Sequence, residues 1–130
     1  MILVDTHVVV WLALDPARVS ARATAEMHEA RKQARGLAIA GISLYEIAVL
    51  ASKERIALNT RLEVFLRDVE MRFVVLPITS SVCISAANLS PDYPRDPVDR
   101  LIGATALAEG LPLVTADRAI QRSRAIRTIW

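Results

Sequence analysis

The sequence has a single cysteine, Cys83, and only two lysines, Lys32 and Lys53, among 130 residues. One thiol cannot close an internal disulfide, and no Cys/His set with zinc-ligand spacing accompanies it, so a disulfide scaffold and a structural zinc site are excluded. Cys83 itself reads as a small buried hydrophobe. Long apolar runs are missing as well. The longest uncharged stretch, 73–91, carries Pro77, Thr79, Ser80, Ser81, Ser85 and Asn88. It therefore reads as a strand, a turn and a buried helix, not as a membrane span. The opening MILVD has an acid at position 5 and no basic segment ahead of an apolar stretch, contrary to a secretion signal. A cytoplasmic protein without membrane attachment is the expectation.

Apolar residues are plentiful, at 53%, which argues against disorder. The length fits one domain, 1–130, with a proper core. Sixteen basic residues against 14 acidic ones leave a formal net charge of +2, so the whole molecule is no polycation. The kind of base is more telling, because 14 of the 16 are Arg. Arg118, Arg122, Arg124 and Arg127 follow Asp117 with no acid among them. The guanidinium fork suits bidentate phosphate contact, which makes Arg118, Arg122 and Arg124 candidate phosphate contacts. The competing reading is a solvated surface helix and loop.

Short apolar runs alternate with helical patterns, the signature of an α/β fold with a parallel sheet. Strands are expected at 1–4, 37–42, 73–76 and 113–114, with 126–130 as a fifth at an edge. Helices are expected at 8–14, at 19–35 stopped by Gly36, and at 43–53, 60–70 and 79–89. A further helix at 97–109 is stopped by Gly110, and Asp117 opens a short helical turn.

In open parallel sheets, ligands bind beyond the carboxyl ends of the strands. Asp5 follows the first strand, Ser43 and Glu46 the second, and Thr115 and Asp117 the fourth, while Asp96 and Asp99 open the helix before that fourth strand. Most of these acids have a local use. Ser43 and Glu46 match an S-x-x-E capping box, Asp96 precedes Pro97 as an N-cap with Asp99 at N3, and Asp117 caps the turn after it. Asp5 is different: a carboxylate closing an apolar strand is costly to bury unless it is paired or metal-bound.

No side-chain cation is assigned to this group. The expected counter-charge is a hard divalent cation with oxygen ligands, Mg²⁺ or Mn²⁺. Such an ion activates water and stabilises phosphoryl oxygens, with the hydroxyls of Thr6, Ser43 and Thr115 orienting ligands or water from behind. Mutual repulsion predicts that removing Asp5 or Asp117 leaves the metal-free fold intact or more stable. His7 reads as a packing or supporting group beside Asp5, Tyr45 as a stacking or packing aromatic, and Trp11 and Trp130 as anchors.

Four stretches, MILVDTHVVVWLAL, ISLYEIAVLASKERIAL, RDPVDRLIGATALAEGLPLVTAD and IRTIW, occur in the order found in PIN domains. Together they span nearly the whole chain, which resembles the VapC-type toxin ribonucleases of bacterial toxin–antitoxin pairs. The resemblance implies a three-layer α/β/α fold around a mostly parallel sheet of four to five strands. It also implies that Asp5 is the first catalytic, metal-binding acid, Glu46 the second and Asp117 the fourth. The third is Asp99, directly before RLIGATA, or Asp96, or both. Implied too are Mg²⁺- or Mn²⁺-dependent endoribonuclease activity on transfer or ribosomal RNA, a homodimer, and a VapB-type antitoxin that blocks the site.

Three rivals are set against this reading. A haloacid-dehalogenase-like phosphatase wants a second acid two residues after the first, where this chain has His7. A signalling receiver domain wants an acid pair after the first strand and a late lysine, but Lys53 is the last one. A PIN module that binds RNA or a partner without cutting it conflicts with no named residue.

Overall fold

In a computed structural model describing residues 1–130, the strands are short and the sheet is built from their burial. β1 (Ile2–Val4) and β2 (Leu37–Ala40) are buried along their whole length. β3 (Val74–Leu76), β4 (Leu113–Val114) and β5 (Thr128–Ile129) complete five strands in the order β3-β2-β1-β4-β5, every pair parallel. Parallel strands need crossovers, and helices supply them on both faces. Successive side chains point to opposite faces. Ile2, Val4, Leu37, Ile39 and Val114 thus enter one core, and Leu3, Ala38, Ala40 and Leu113 the other.

The first core is closed by α1 (Thr6–Leu14), α2 (Ala21–Lys32) and α4 (Leu62–Arg72) through Val8, Val9, Met27, Phe65 and Val69. The second is closed by α5 (Ser80–Ala87), α6 (Pro97–Glu109) and α7 (Arg118–Ser123) through Val82, Ile102, Ala104 and Ile120. The result is a three-layer α/β/α architecture. No helix is long and apolar enough to cross a membrane.

Local signals account for most element ends. Asp96 caps α6 through Val98 and Asp99 N–H, Pro97 stands at N1, and Gly110 ends the helix at φ 65°, the left-handed conformation a glycine adopts without penalty. Ser20 caps α2 at the Ala23 amide, so that helix opens at Ala21 and Pro16–Arg18 is a separate 3₁₀ turn.

Two expectations fail. The helix α3 (Gly41–Ser52) starts directly where β2 ends, with Ala40 at the N-cap and no side-chain cap. Ser43 is therefore inside the helix and fully buried, and the Ser43/Glu46 capping box does not form. Cys83 is exposed on α5, not a core residue.

The strand order fixes where a ligand belongs. Running from β1 through β2 to β3, the sheet grows one way; β4 returns to the other side of β1. The topological switch point lies between β1 and β4, and its carboxyl end is bounded by Asp5 and the 115–117 turn.

Candidate active site

Asp5 is the most embedded of the acids, only 3% exposed. Its Oδ1 accepts from the Thr6 amide at 2.7 Å, capping α1, and its Oδ2 accepts from the Thr115 hydroxyl at 2.7 Å. His7 Nδ1 stands 3.5 Å from the same Oδ2. The other ring nitrogen of His7, Nε2, accepts from the Ala116 amide at 3.1 Å. An accepting Nε2 is bare, so the ring proton sits on Nδ1, facing Asp5. His7 thus ties β1 to the turn after β4, and its ring packs edge-on against Trp11 at 4.9 Å.

The hydroxyls form a fully buried set behind the acids. Thr115 Oγ1 also accepts from the Asp117 amide at 3.1 Å. Thr6 Oγ1 donates to Ser43 Oγ at 2.9 Å, and the Thr6 hydroxyl favours the ionised form of the nearby Glu46 carboxyl. Every buried side-chain nitrogen and oxygen in the molecule has a partner. Thr6, Ser43 and Thr115, expected as supporting hydroxyls, are therefore all in contact with the acids or with one another.

Three of the five acids cap helices. Asp117 Oδ1 accepts from the Ala119 and Ile120 amides at 2.8 and 3.1 Å, opening α7, and Asp96 Oδ1 accepts from the Val98 and Asp99 amides at 2.9 and 3.1 Å. With Asp5 on α1, three helix N-termini turn toward the carboxyl end of the sheet. Their positive dipole ends offset part of the repulsion among the acids. Capping and gathering do not compete, because each cap uses one carboxylate oxygen and leaves the other.

Asp99 is the acid on which the rest converge. Its own hydrogen bonds run through its backbone, the amide to Asp96 and the carbonyl to the Tyr93 hydroxyl. Burial, followed by the charges of Asp5, Asp96, Asp117 and Glu46, pushes its carboxyl up to about 7. Glu46 is raised as well, first by burial and then by Asp5 and Asp96, with the Thr6 hydroxyl pulling the other way. The five acids therefore share one field at the switch point. Of the two candidates for the third position, Asp96 is exposed and committed to a cap, whereas Asp99 is half-buried and feels the charge of the other four.

The arginines do not behave as one patch. Arg118 opens α7 beside Asp117, but α7 runs back toward the amino ends of the strands. Arg124, at its end, lines a hollow of about 540 Å³ with Arg127, Gly110 and Pro112, where β4 and β5 begin. Arg124 is thus at the opposite end of the sheet from the acids.

Reading the sequence missed Tyr93 and Gly103. Tyr93 is fully buried, and its hydroxyl donates to the Asp99 carbonyl at 2.8 Å. The ring occupies the space that Gly103 leaves open on α6. Burial, then the charges of Asp5, Asp99 and Asp117, raises the phenol beyond its ordinary range; it stays a donor. A mid-helix glycine is the one sequence signal that pointed here.

No set of three His, Cys, Asp or Glu side chains forms a ready-made cage for a metal ion. The donor set nevertheless fits a hard cation. It is all oxygen, its central carboxylate takes no hydrogen bond, and its repulsion is relieved by positive charge. Mg²⁺ in particular keeps much of its water and needs only one or two carboxylates.

The hydrogen bonds of Asp5 reverse the expected effect of removing it. Asp5→Ala deletes a helix cap, typically worth about 1 kcal/mol, and a buried charge-assisted bond worth about 1.5–3 kcal/mol. Relief of repulsion offsets part of this. The variant is expected to be about 2 kcal/mol less stable in urea denaturation without metal; equal or greater stability would show that repulsion dominates.

A family profile described as "PIN domain" matches residues 2–125. The chain is 39% identical over 131 aligned positions to "Ribonuclease VapC22" of Mycobacterium tuberculosis, covering 99% of this chain and 98% of the relative. Among solved structures, VapBC2 from Rickettsia felis bound to a promoter DNA fragment superposes with a TM-score of 0.73 at 19% identity, covering 98% of this chain and 97% of the other. DNA-bound VapBC from Salmonella typhimurium gives 0.71 at 22% identity, with the same coverage. At such identities the two structures establish the fold.

Proposed function

Because the chain belongs to the PIN domain family, we propose that it is a metal-dependent endoribonuclease and the toxin of a VapBC-type pair. It cleaves structured RNA, a transfer or ribosomal RNA, by attack of water on a phosphodiester. The observation that carries this reading is that the charges of Asp5, Glu46, Asp96 and Asp117 all bear on the half-buried Asp99, with no lysine or arginine paired to any of the five. Whole-chain identity to a ribonuclease supports it.

In this reading Asp5, Glu46, Asp99 and Asp117 would hold Mg²⁺ or Mn²⁺, with Asp96 in support. Bound there, the ion supplies a more acidic water and positive charge for the phosphoryl oxygens. The chain contributes orientation. Thr115 and the Thr6 amide pin the two oxygens of Asp5, so its carboxylate cannot rotate away. Ser43 holds the Thr6 hydroxyl that acts on Glu46, and Tyr93 holds the first turn of α6 through the Asp99 carbonyl. Arg118 and Arg122, and more remotely Arg124, contact RNA phosphates.

The whole chain, 1–130, is one PIN domain that works in the cytoplasm as a homodimer. A VapB-type antitoxin blocks its site, in keeping with the VapC name of the relative.

Purified protein freed of any co-purifying partner is expected to cleave structured RNA with Mg²⁺ or Mn²⁺ and to stop in EDTA. Asp5→Asn is expected to abolish cleavage in vitro and toxicity in cells. RNA binding without cleavage under these conditions would make the chain a non-catalytic binding module, and hydrolysis of a generic phosphomonoester instead would make it a phosphatase.

A further inference from the structure

Glu46 belongs to two places at once. Besides facing the other acids, it forms part of the wall of a small hollow of about 190 Å³ on α3, together with Tyr45, Val49, Leu50, Lys53 and Arg55. The hollow is closed by Val98, from the first turn of α6 and adjacent in sequence to Asp99. It therefore adjoins the carboxylate site.

Its construction follows from the helix. Tyr45, Val49 and Lys53 are spaced by four and share one face of α3, and eight residues of rise place Lys53 about 12 Å along the axis from Tyr45. The chain then turns back at Glu54, a non-glycine residue at φ 54°, and the Arg55 amide bonds the Leu50 carbonyl at 2.9 Å. That turn brings Arg55 beside Lys53. Tyr45 is 61% exposed, one of the most exposed large hydrophobic residues of the molecule. The ion pair that the structure forms between an arginine or lysine and a carboxylate is Arg61 with Glu63, so both cations of the hollow are free.

We propose that this hollow is a nucleotide subsite for RNA flanking the cleaved bond: a base stacks on Tyr45, and the adjoining phosphate lies between Lys53 and Arg55. The assignment of RNA rests on the ribonuclease reading. The polarity is set by charge, because Glu46 repels phosphate from one end while Lys53 and Arg55 attract it to the other. An aromatic face beside free cations is the arrangement by which single strands are held without regard to sequence. Seven lining residues are few for a specific protein interface, which needs roughly 20–30 a side.

The test is fluorescence anisotropy with a short fluorescein-labelled 2′-O-methyl oligoadenylate, which cannot be cleaved, alongside cleavage kinetics on structured RNA. Tyr45→Ala is expected to weaken probe binding about tenfold, within the range seen when a stacked base loses its aromatic partner, and to raise KM more than it lowers kcat. Tyr45→Phe keeps the ring and is expected to restore binding to within about twofold. Lys53→Ser with Arg55→Ser is expected to lower the slope of log affinity against log salt by about 0.7–1.4. All three residues are exposed, so the variants should melt with the wild type.

Binding and KM unchanged in Tyr45→Ala would overturn the subsite while leaving the ribonuclease reading intact. So would unchanged probe binding combined with loss of a co-expressed antitoxin, which would make the hollow a protein contact. Tyr45-dependent binding in a wild-type protein that cleaves no RNA would sink the ribonuclease reading and leave the subsite standing.

Discussion

Gly103→Ala is expected to destabilise the protein by about 2 kcal/mol, although it replaces a poor helix former with the best one. Gly103 lies in the middle of α6, where the substitution gains about 1 kcal/mol from propensity alone. The space it opens is already taken. A Cβ built there would meet Tyr93 Cζ at 2.5 Å and Cε2 at 3.0 Å, and would fall closer still to the hydroxyl oxygen. The ring has nowhere to go: Tyr93 is 1% exposed and packed with Ile102, Ala104, Leu89 and Val82 in the second core. Overpacking of this kind costs about 1–3 kcal/mol, and moving the hydroxyl off the Asp99 carbonyl costs about 1 kcal/mol more. Steric exclusion therefore outweighs propensity.

A double-mutant cycle separates the two contributions. With Tyr93→Leu in the background the ring is absent, and Gly103→Ala should become neutral or stabilising in urea denaturation. Additive effects would show that Tyr93 is not what the glycine accommodates. Because the same ring fixes the carbonyl of Asp99, Gly103→Ala should also impair cleavage at temperatures where the fold is intact.

How far such features can be read from sequence depends on how local their causes are. The helix α6 has the bounds that Asp96, Pro97 and Gly110 announce, since a cap, a fixed φ and a left-handed stop all act within a few residues. The start of α3 is not legible in the same way. Ser43 and Glu46 carry a valid capping signal, but β2 runs straight into the helix and Ser43 finds its partner in Thr6, 37 residues away. The bond between Thr115 and Asp5 spans 110 residues, so a window around Asp5 reveals its need for a partner but not the partner.

The acids themselves were legible because the strand-end rule turns topology into a list of positions, and Asp5, Glu46, Asp99 and Asp117 all share the field at the switch point. The placement of the arginine run was not legible for the opposite reason. Adjacency in sequence suggested one surface, whereas a helix reversing direction carries Arg118 and Arg124 to opposite ends of the sheet. Tyr93 and Gly103 are a match of volumes, which no single residue advertises.

Asp99→Asn should make the protein more stable and inactive, the reverse of the stability change expected at Asp5. The contrast lies in hydrogen bonding. The carboxylate of Asp5 accepts from Thr6 and Thr115, while that of Asp99 is half-buried among four other acids, which with burial hold it up to about 7 against 3.8 in the free residue. Between those two values the folded protein binds more protons than the unfolded chain, so stability falls as pH rises and levels off above about pH 7. The full difference corresponds to about 4 kcal/mol, which solvent at a half-buried group screens to about 1–2 kcal/mol. The neutral amide removes that slope. In metal-free buffer Asp99→Asn is expected to exceed the wild type by about 1–2 kcal/mol at pH 8 and to match it near pH 4. Mg²⁺ or Mn²⁺ at pH 8 should raise the wild-type melting temperature more than that of the variant and so narrow the gap. Loss of a carboxylate from the proposed metal site should lower cleavage by roughly 100-fold or more. A variant less stable than the wild type at pH 8 would mean that the Asp99 carboxylate has a partner and does not stand as the unrelieved charge at the centre of the site.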